Sequence, residues 1–143
     1  MRAAKPGAML ALVALRLLIV DDNEAFLAAS RAVLQGQGVD VVAVASTAAE
    51  GFVRAQLLRP DLILVDIELG EDSGFDLARQ LADGDDTADL DVIVISTHPE
   101  DDFADLVCES PALGFVSKSE LSRFAIEEML RRRPSDRCGD APG

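Results

Sequence analysis

Polar side chains follow four apolar runs of this sequence at the point where each run ends. Apolar runs that do not alternate with polar residues are typical of buried strands in a parallel sheet. Because the carboxyl ends of parallel strands lie along one edge of the sheet, we expect these side chains to converge on one crevice. They are Asp21 and Asp22 after residues 17–20, Asp66 after residues 62–65, Ser96 after residues 92–95, and Lys118 after residues 114–116.

The predicted crevice contains three carboxylates, a hydroxyl and an ammonium group. Clustered carboxylates repel one another unless a cation lies among them, and a small set of hard oxygen ligands suits Mg²⁺. An ionised carboxylate can attack phosphorus when nearby cations neutralise the charge of the transferring group. The residue types therefore predict phosphoryl transfer onto an aspartate.

In this order and spacing, the residues resemble the CheY-like receiver domains of two-component response regulators, over roughly residues 15–133. The resemblance implies that a histidine kinase or a histidine phosphotransfer protein supplies a phosphoryl group, which Asp66 holds as an acyl phosphate. It further implies that a partner protein reads the changed surface, at the face formed by the fourth helix, the fifth strand and the fifth helix. Such a receiver catalyses its own phosphorylation and dephosphorylation but is not a dedicated enzyme.

The resemblance implies a set of magnesium ligands around the phosphoacceptor. Asp22 is expected to bind Mg²⁺ directly and Asp21 to bind it through water. Asp66 and the backbone carbonyl of Glu68 would complete the protein's contribution.

Further residues are expected to contact the phosphoryl group or respond to it. Lys118 would pair with the phosphoryl oxygens, and Ser96 would donate its hydroxyl to them. Thr97 is an alternative hydroxyl donor, although the register of the strand favours Ser96. Phe115 occupies the position of a switch aromatic in the family, but an aromatic beside a strand is equally expected in the core.

Two residues are expected to tune hydrolysis of the acyl phosphate. Glu68 and His98 stand two positions after Asp66 and Ser96, where attacking water must approach in the family. The alternative for His98, a polar loop residue without a catalytic role, remains open.

The sequence departs from the family pattern in two places beside the crevice. Gly70 stands where proline is frequent, which loosens the loop after Asp66. Ser119 stands where the family often has a proline joined by a cis peptide. Because a cis bond before a residue other than proline costs about 2.5 to 4 kcal/mol, a trans bond after Lys118 is expected.

The remaining pattern predicts an α/β fold: a doubly wound, five-stranded parallel sheet with five helices, in a flavodoxin-like three-layer sandwich. The resemblance implies the strand order 2-1-3-4-5. Strands are predicted at residues 15–20, 39–45, 61–65, 92–95 and 114–117, and helices at 24–35, 47–59, about 75–82, 99–109 and after 119.

Helical spacing and capping residues predict which side chains face the core. In the first helix these are Phe26, Ala29, Val33 and Leu34, and in the last they are Leu121, Phe124, Ala125, Met129 and Leu130. Thr47 and Glu50 form a capping-box pattern at the start of the second helix, and Ser119 is the predicted cap of the last helix.

Composition restricts the function further. A net charge of −13, from 26 acidic and 13 basic residues, argues against nonspecific binding to nucleic acid. The apolar run at residues 8–20 is shorter than a membrane span and has no cleavage site typical of a signal peptide, so a cytoplasmic protein is expected. The spacing of Cys108 and Cys138 suggests neither a metal site nor a disulfide framework.

With 143 residues, the chain has room for one domain of ordinary size. We expect an N-terminal extension at residues 1–14, the receiver domain at 15–133 and a disordered tail at 134–143. That tail is too short for a DNA-binding module, so a stand-alone receiver is expected.

Two other functions remain possible from the residues. The first is a receiver fold kept for docking alone, independent of phosphorylation. The second is a haloacid-dehalogenase-like phosphatase, which also combines a nucleophilic aspartate, a hydroxyl, a lysine and an acidic pair that binds Mg²⁺. In those phosphatases, however, the acidic pair follows the lysine, whereas Asp21 and Asp22 precede every other residue of the set.

Overall fold

A computed structural model describes residues 14–131 and shows a single parallel sheet with helices on both of its faces. The strands are β1 (Arg16–Val20), β2 (Asp40–Ala45), β3 (Leu62–Asp66), β4 (Asp91–Ser96) and β5 (Gly114–Ser117). The helices are α1 (Glu24–Gly36), α2 (Ala48–Leu58), α3 (Gly74–Asp83), α4 (Ala104–Glu109) and α5 (Arg123–Arg131).

The five strands lie side by side in the order β2-β1-β3-β4-β5, and every neighbouring pair is parallel. The predicted fold class and strand order are therefore confirmed. All five residues of β3 are buried, and so are the last five residues of β4. Since helices cover both faces of the sheet, its central strands need apolar side chains on both sides.

Two hydrophobic cores lie on opposite faces of the sheet. One contains buried side chains of α2, α3 and α4, such as Ala55, Leu77 and Val107. The other contains those of α1 and α5, such as Leu34 and Ile126. This arrangement is the predicted three-layer sandwich.

Side chains cap the helices largely as predicted, with one exception. Thr47 accepts a hydrogen bond from the backbone N–H of Glu50, at 3.1 Å. The predicted cap of the last helix is wrong: Ser122, not Ser119, accepts a hydrogen bond from the backbone N–H of Ala125, at 3.0 Å. Ser119 belongs to a separate 3-10 turn over Lys118–Glu120, which delays the start of α5.

The side chains that α5 turns toward the core differ in part from the prediction. Ile126 is fully buried, whereas Phe124, predicted to face the core, is 68% exposed. In α1, Val33 is likewise half exposed, and Leu27 and Leu34 fill the core. The predicted helix at residues 99–109 is also divided, into a 3-10 turn over Glu100–Phe103 and the short helix α4.

Arg16 makes two hydrogen bonds at the amino end of the sheet, opposite the edge where the strands end. Its backbone N–H donates to a carboxylate oxygen of Asp61 at 3.0 Å. Its guanidinium group donates to the carbonyl of Arg59 at 2.8 Å. These two bonds tie the start of β1 to the segment that leads into β3.

Predictions for residues 1–13 and 132–143 lie outside the described residues. Within residues 14–131, no helix combines the length and apolar character needed to cross a bilayer. Cys108 on α4 is disulfide-bonded, which corrects the prediction from cysteine spacing. The other cysteine of the chain, Cys138, lies outside the described residues.

Candidate functional site

Three carboxylates meet at the carboxyl edge of the sheet. Asp66 is the last residue of β3, and Asp21 and Asp22 directly follow β1, the neighbouring strand. One oxygen from each carboxylate lies within 4.8 Å of the others. Asp21 is fully buried and Asp66 nearly so, whereas Asp22 is exposed, which opens the cluster to solvent on one side.

The ammonium group of Lys118 lies between the two buried carboxylates. Its Nζ is 2.6 Å from Oδ2 of Asp21 and 3.3 Å from Oδ2 of Asp66. Nζ also stands 4.5 Å from the centre of the Phe26 ring, where the π face attracts a cation. The 3-10 turn over Lys118–Glu120 places the lysine directly beyond the end of β5.

Backbone N–H groups hold the two buried carboxylates in position. The N–H of Asn23 donates to Oδ1 of Asp21 at 2.8 Å, and that of Glu68 donates to Oδ1 of Asp66 at 3.2 Å. Although the ammonium of Lys118 is close, Oδ2 of Asp21 has no hydrogen bond of good geometry among the described residues. Oδ2 of Asp21 is thus attracted to the Lys118 ammonium but keeps a lone pair that can bind another group.

Burial and mutual repulsion control protonation in the cluster. Burial, followed by the charge of Asp21, raises the pKa of Asp66 to about 6, against the opposing effects of the Glu68 N–H and Lys118. Burial disfavours the charged form of Lys118, but its contacts with Asp21 and Asp66 outweigh this and raise its pKa. Lys118 therefore stays charged. The charged form of Asp66, by contrast, is disfavoured by burial and by the neighbouring charge of Asp21.

Ser96 ends β4, the strand next to β3, and is buried. Its Oγ accepts a hydrogen bond from the backbone N–H of His98 at 2.9 Å. Thr97, the alternative hydroxyl donor, is exposed. Of the two hydroxyls, only that of Ser96 is enclosed at the carboxyl edge of the sheet.

The two residues predicted to tune hydrolysis face each other across the mouth of the site. Nδ1 of His98 lies 3.9 Å from a carboxylate oxygen of Glu68, and both side chains are at least half exposed. The ring of His98 packs edge-on against Phe103, which stacks on Phe115. Phe115 is buried, so its side chain already occupies the inward position.

Gly74, which opens α3, contacts the site in a way that the sequence did not indicate. A Cβ at this position would overlap the backbone carbonyl oxygen of Asp66 and stand 2.9 Å from its carbonyl carbon. The N–H of Gly74 also donates to the carbonyl of Ile67 at 2.8 Å. The absence of a side chain at Gly74 thus lets α3 begin directly against the backbone of Asp66.

The departures from the family pattern are accommodated by the backbone. Residues 14–131 contain no cis peptide bond, so the bond between Lys118 and Ser119 is trans, as expected. Gly70 has a φ of +63°, a conformation that residues with a side chain rarely adopt. It closes the turn between two short antiparallel segments, Glu68–Leu69 and Asp72–Ser73.

The donor set fits Mg²⁺. Three carboxylate oxygens within 4.8 Å are hard ligands of the kind this ion prefers, and the buried Oδ2 of Asp21 keeps a free lone pair. The exposed side of the cluster, at Asp22, leaves room for the waters that Mg²⁺ normally retains.

Comparison with known proteins agrees with this geometry. Residues 17–131 match the response regulator receiver domain family. This chain belongs to that family. Receiver domains are signalling modules of two-component systems, and they typically bind Mg²⁺ at an acidic pocket.

Similar receivers occur in proteins of different architecture. The chain is 30% identical over 106 residues to the transcriptional regulatory protein LiaR of Bacillus subtilis, covering 73% of this chain and 49% of LiaR. It is 32% identical over 120 residues to a protein-glutamate methylesterase/protein-glutamine glutaminase of Geobacter sulfurreducens, covering 83% of this chain and 31% of that protein. The chain thus spans about half the length, or less, of these curated relatives.

Solved receiver structures share the fold. The chemotaxis response regulator CheY4 of Vibrio cholerae superposes with a TM-score of 0.70 at 20% identity, covering 84% of this chain and 98% of CheY4. A response regulator from Burkholderia pseudomallei has a TM-score of 0.72 at 25% identity, covering 90% of this chain and 74% of that one. The latter structure contains a phosphorylated aspartic acid and a calcium ion.

Proposed function

We propose that this receiver domain accepts a phosphoryl group on Asp66 from a phosphohistidine. The observation that carries the proposal is the cluster of Asp21, Asp22 and Asp66, with the Lys118 ammonium 3.3 Å from Asp66. A carboxylate oxygen of Asp66 attacks phosphorus, the bond from phosphorus to the histidine nitrogen breaks, and that nitrogen takes up a proton. The product is an acyl phosphate.

The residues around Asp66 have distinct proposed roles in this step. Asp22, Asp66 and the carbonyl of Glu68 would hold Mg²⁺ directly and Asp21 would hold it through water, and the ion would supply positive charge for the phosphoryl oxygens. Lys118 supplies a second positive charge, so its ion pair with Asp66 gives way to one with the phosphoryl group. The N–H of Glu68 keeps the Asp66 carboxylate oriented.

Ser96 is the proposed hydroxyl donor to the phosphoryl group. Its Oγ accepts from the His98 N–H, which leaves its own proton available to a phosphate oxygen, and we propose that a movement of Ser96 toward the phosphoryl group carries residues 96–98 with it. Because the ring of His98 packs on Phe103, that movement reaches the start of α4. We propose that a downstream protein reads the change at the face made by α4, β5 and α5, with Phe115 as a packed core residue beneath it.

The wider setting follows from these assignments. The phosphodonor is a histidine kinase or a histidine phosphotransfer protein, which places the reaction in the cytoplasm. The acidic character of the chain favours a protein partner over nucleic acid. We assign residues 15–133 to the receiver module, and its use as a stand-alone receiver stays a prediction.

Intact mass spectrometry after brief incubation with a small acyl-phosphate donor tests the proposal. We expect a gain of one phosphoryl group that requires Mg²⁺ and is lost in Asp66→Asn. Asp40→Asn, which changes an exposed aspartate at the opposite end of the sheet, is the matched control and should behave as wild type. No gain under a fast quench, repeated with a phosphohistidine donor, would instead support a receiver fold kept for docking alone.

Replacing Glu68 with asparagine should shorten the lifetime of the acyl phosphate. The carboxylate of Glu68 is 64% exposed at the mouth of the site, where its charge repels or misorients attacking water. Its backbone groups, which contact Asp66 and are proposed to bind the metal, remain. The decay of phosphorylated protein, followed by mass spectrometry, measures the effect.

Glu71→Gln, an exposed acid of the same loop, is the control for charge alone. Mg²⁺ affinity, measured by titration, should be nearly unchanged in Glu68→Asn. An unchanged lifetime in that variant would remove Glu68 from the set of tuning residues.

A further inference from the structure

The ammonium group of Lys118 is contacted by two side chains from one short segment of the chain, the turn that leads from β1 into α1. Oδ2 of Asp21 lies 2.6 Å from Nζ, and the centre of the Phe26 ring lies 4.5 Å from Nζ. The ring is partly buried against the core that contains α1 and α5. Since the π face of an aromatic ring attracts a cation, Phe26 makes a contact that core packing alone does not require.

Hydrogen bonds fix the backbone of Phe26 relative to Asp21. The N–H of Phe26 donates to Oδ1 of Asn23 at 3.0 Å, and its carbonyl accepts from Oγ of Ser30 at 2.7 Å. The N–H of Asn23 in turn donates to Oδ1 of Asp21 at 2.8 Å. The carboxylate and the ring that contact Nζ are thus held in a defined relation to each other by Asn23.

The rest of the Lys118 side chain is not enclosed by close packing. A cavity of about 170 Å³ lies between α1 and the turn after β5, and Lys118 lines it together with Phe26, Ser30, Val33 and Leu121. Because the side chain borders open space, packing does not fix all of its rotatable bonds. The position of the ammonium group therefore depends on Asp21, Asp66 and the ring of Phe26.

We propose that Phe26 is a positioning residue for Lys118 in phosphoryl transfer to Asp66, an assignment that rests on the proposed function. In that step the ion pair between Lys118 and Asp66 gives way to one with the phosphoryl oxygens. The ring of Phe26 carries no charge that the phosphoryl group could displace, so it stays beside Nζ throughout. Holding the ammonium in place beforehand reduces the freedom it must lose when the phosphoryl group arrives.

Nuclear magnetic resonance of the lysine side chains tests the contact itself. The sequence contains two lysines, Lys5 and Lys118, so protein made with ¹³C-lysine gives two sets of signals, and Lys118→Met identifies one of them. The ring current of Phe26 should shift the ε-methylene protons of Lys118, and Phe26→Leu should remove that shift. A Lys118 signal that is the same in wild type and Phe26→Leu would overturn the proposal.

The rate of phosphoryl gain tests the role of the ring in the reaction. In Phe26→Leu we expect the rate to fall about fivefold, the factor that a partly desolvated cation–π contact contributes. Phe26→Tyr keeps the ring and should react like wild type. The matched control is Val33→Ala, which removes apolar bulk beside the same cavity but no ring, and it should also react like wild type. An equal loss in Val33→Ala and Phe26→Leu would reduce Phe26 to a packing residue.

A fluorinated ring at position 26 separates attraction from shape. Pentafluorophenylalanine fills nearly the same space as phenylalanine, but the face of its ring does not attract a cation. We expect it to slow phosphorylation as much as leucine does, and a wild-type rate would contradict the proposal. If wild type itself gained no phosphoryl group, the proposed function would fail, whereas the lysine signals would still decide whether Phe26 holds the ammonium.

Discussion

Gly74→Ala is expected to destabilise the protein by about 3 kcal/mol, a large effect for the addition of one methyl group. The new Cβ would overlap the carbonyl oxygen of Asp66, and the next two nearest atoms also belong to the backbone. Backbone cannot rotate aside as a flexible side chain can. Either α3 or the end of β3 must therefore shift.

Because the end of β3 carries Asp66, the same substitution should slow phosphorylation. A displacement of about 1 Å in a reacting group can cost on the order of a hundredfold in rate. Denaturant unfolding measures the stability, and the rate of phosphoryl gain measures the chemistry.

Gly36→Ala is the matched control, since a Cβ at the end of α1 meets no atom within 4 Å. Its stability should stay close to that of wild type. If the two alanine variants proved equally stable, the close approach of α3 to Asp66 would be wrong.

Lys118→Met should destabilise the Mg²⁺-free protein by about 3 kcal/mol at pH 7.5. The lysine side chain is 11% exposed and lies between two carboxylates that are themselves buried. Methionine keeps the apolar length of the side chain but leaves Asp21 and Asp66 without their cation. Removing one partner of a buried ion pair typically costs about 3 to 5 kcal/mol.

The loss in Lys118→Met should shrink as the pH falls. The pKa of Asp66 is already raised to about 6 with the lysine present, and removing the positive charge raises it further. A group whose pKa is higher in the folded state contributes stability at low pH that is lost as the pH rises. Asp66 therefore takes up its proton above pH 6 in the variant and near pH 6 in the wild type, so the loss should shrink as the pH falls from 7.5 toward about 6 and should stay small at pH 4.5.

Unfolding by urea at both pH values measures this dependence. Arg79→Met is the control, because it removes an exposed arginine that pairs only with the exposed Asp76 among the described residues, and an exposed pair contributes at most about 1 kcal/mol. Saturating Mg²⁺ should restore part of the stability lost in Lys118→Met, because the ion replaces the missing positive charge. A loss that was equal at both pH values would contradict the proposed pairing.

Much of the site could be predicted from sequence because a polar residue after an apolar run marks the end of each strand. Asp66 follows a buried run of four apolar residues, and in a parallel sheet the end of such a run fixes the edge on which the next side chain lies. Asp21 and Lys118 are placed by the same argument. The resemblance to receiver domains then supplied strand order, which local periodicity does not contain.

Other features depended on distances that a linear pattern does not record. The actual cap, Ser122, stands three positions after Ser119, and both are serines, so composition could not distinguish them. Phe124, two residues after this cap, is exposed and not in the core as predicted. Gly74 resembled an ordinary loop glycine because its contact is with the backbone of Asp66, eight residues earlier.

The hydrogen bonds of Arg16 have a consequence for which residues of this protein can be substituted. They hold the amino end of the sheet through Asp61 and the carbonyl of Arg59, on the side away from the carboxylates. The candidate site and the hydrogen bonds of Arg16 therefore lie at opposite ends of the sheet. We expect substitutions at Glu68 and His98 to change the lifetime of the acyl phosphate while the hydrogen bonds that keep β1 and β3 aligned remain in place.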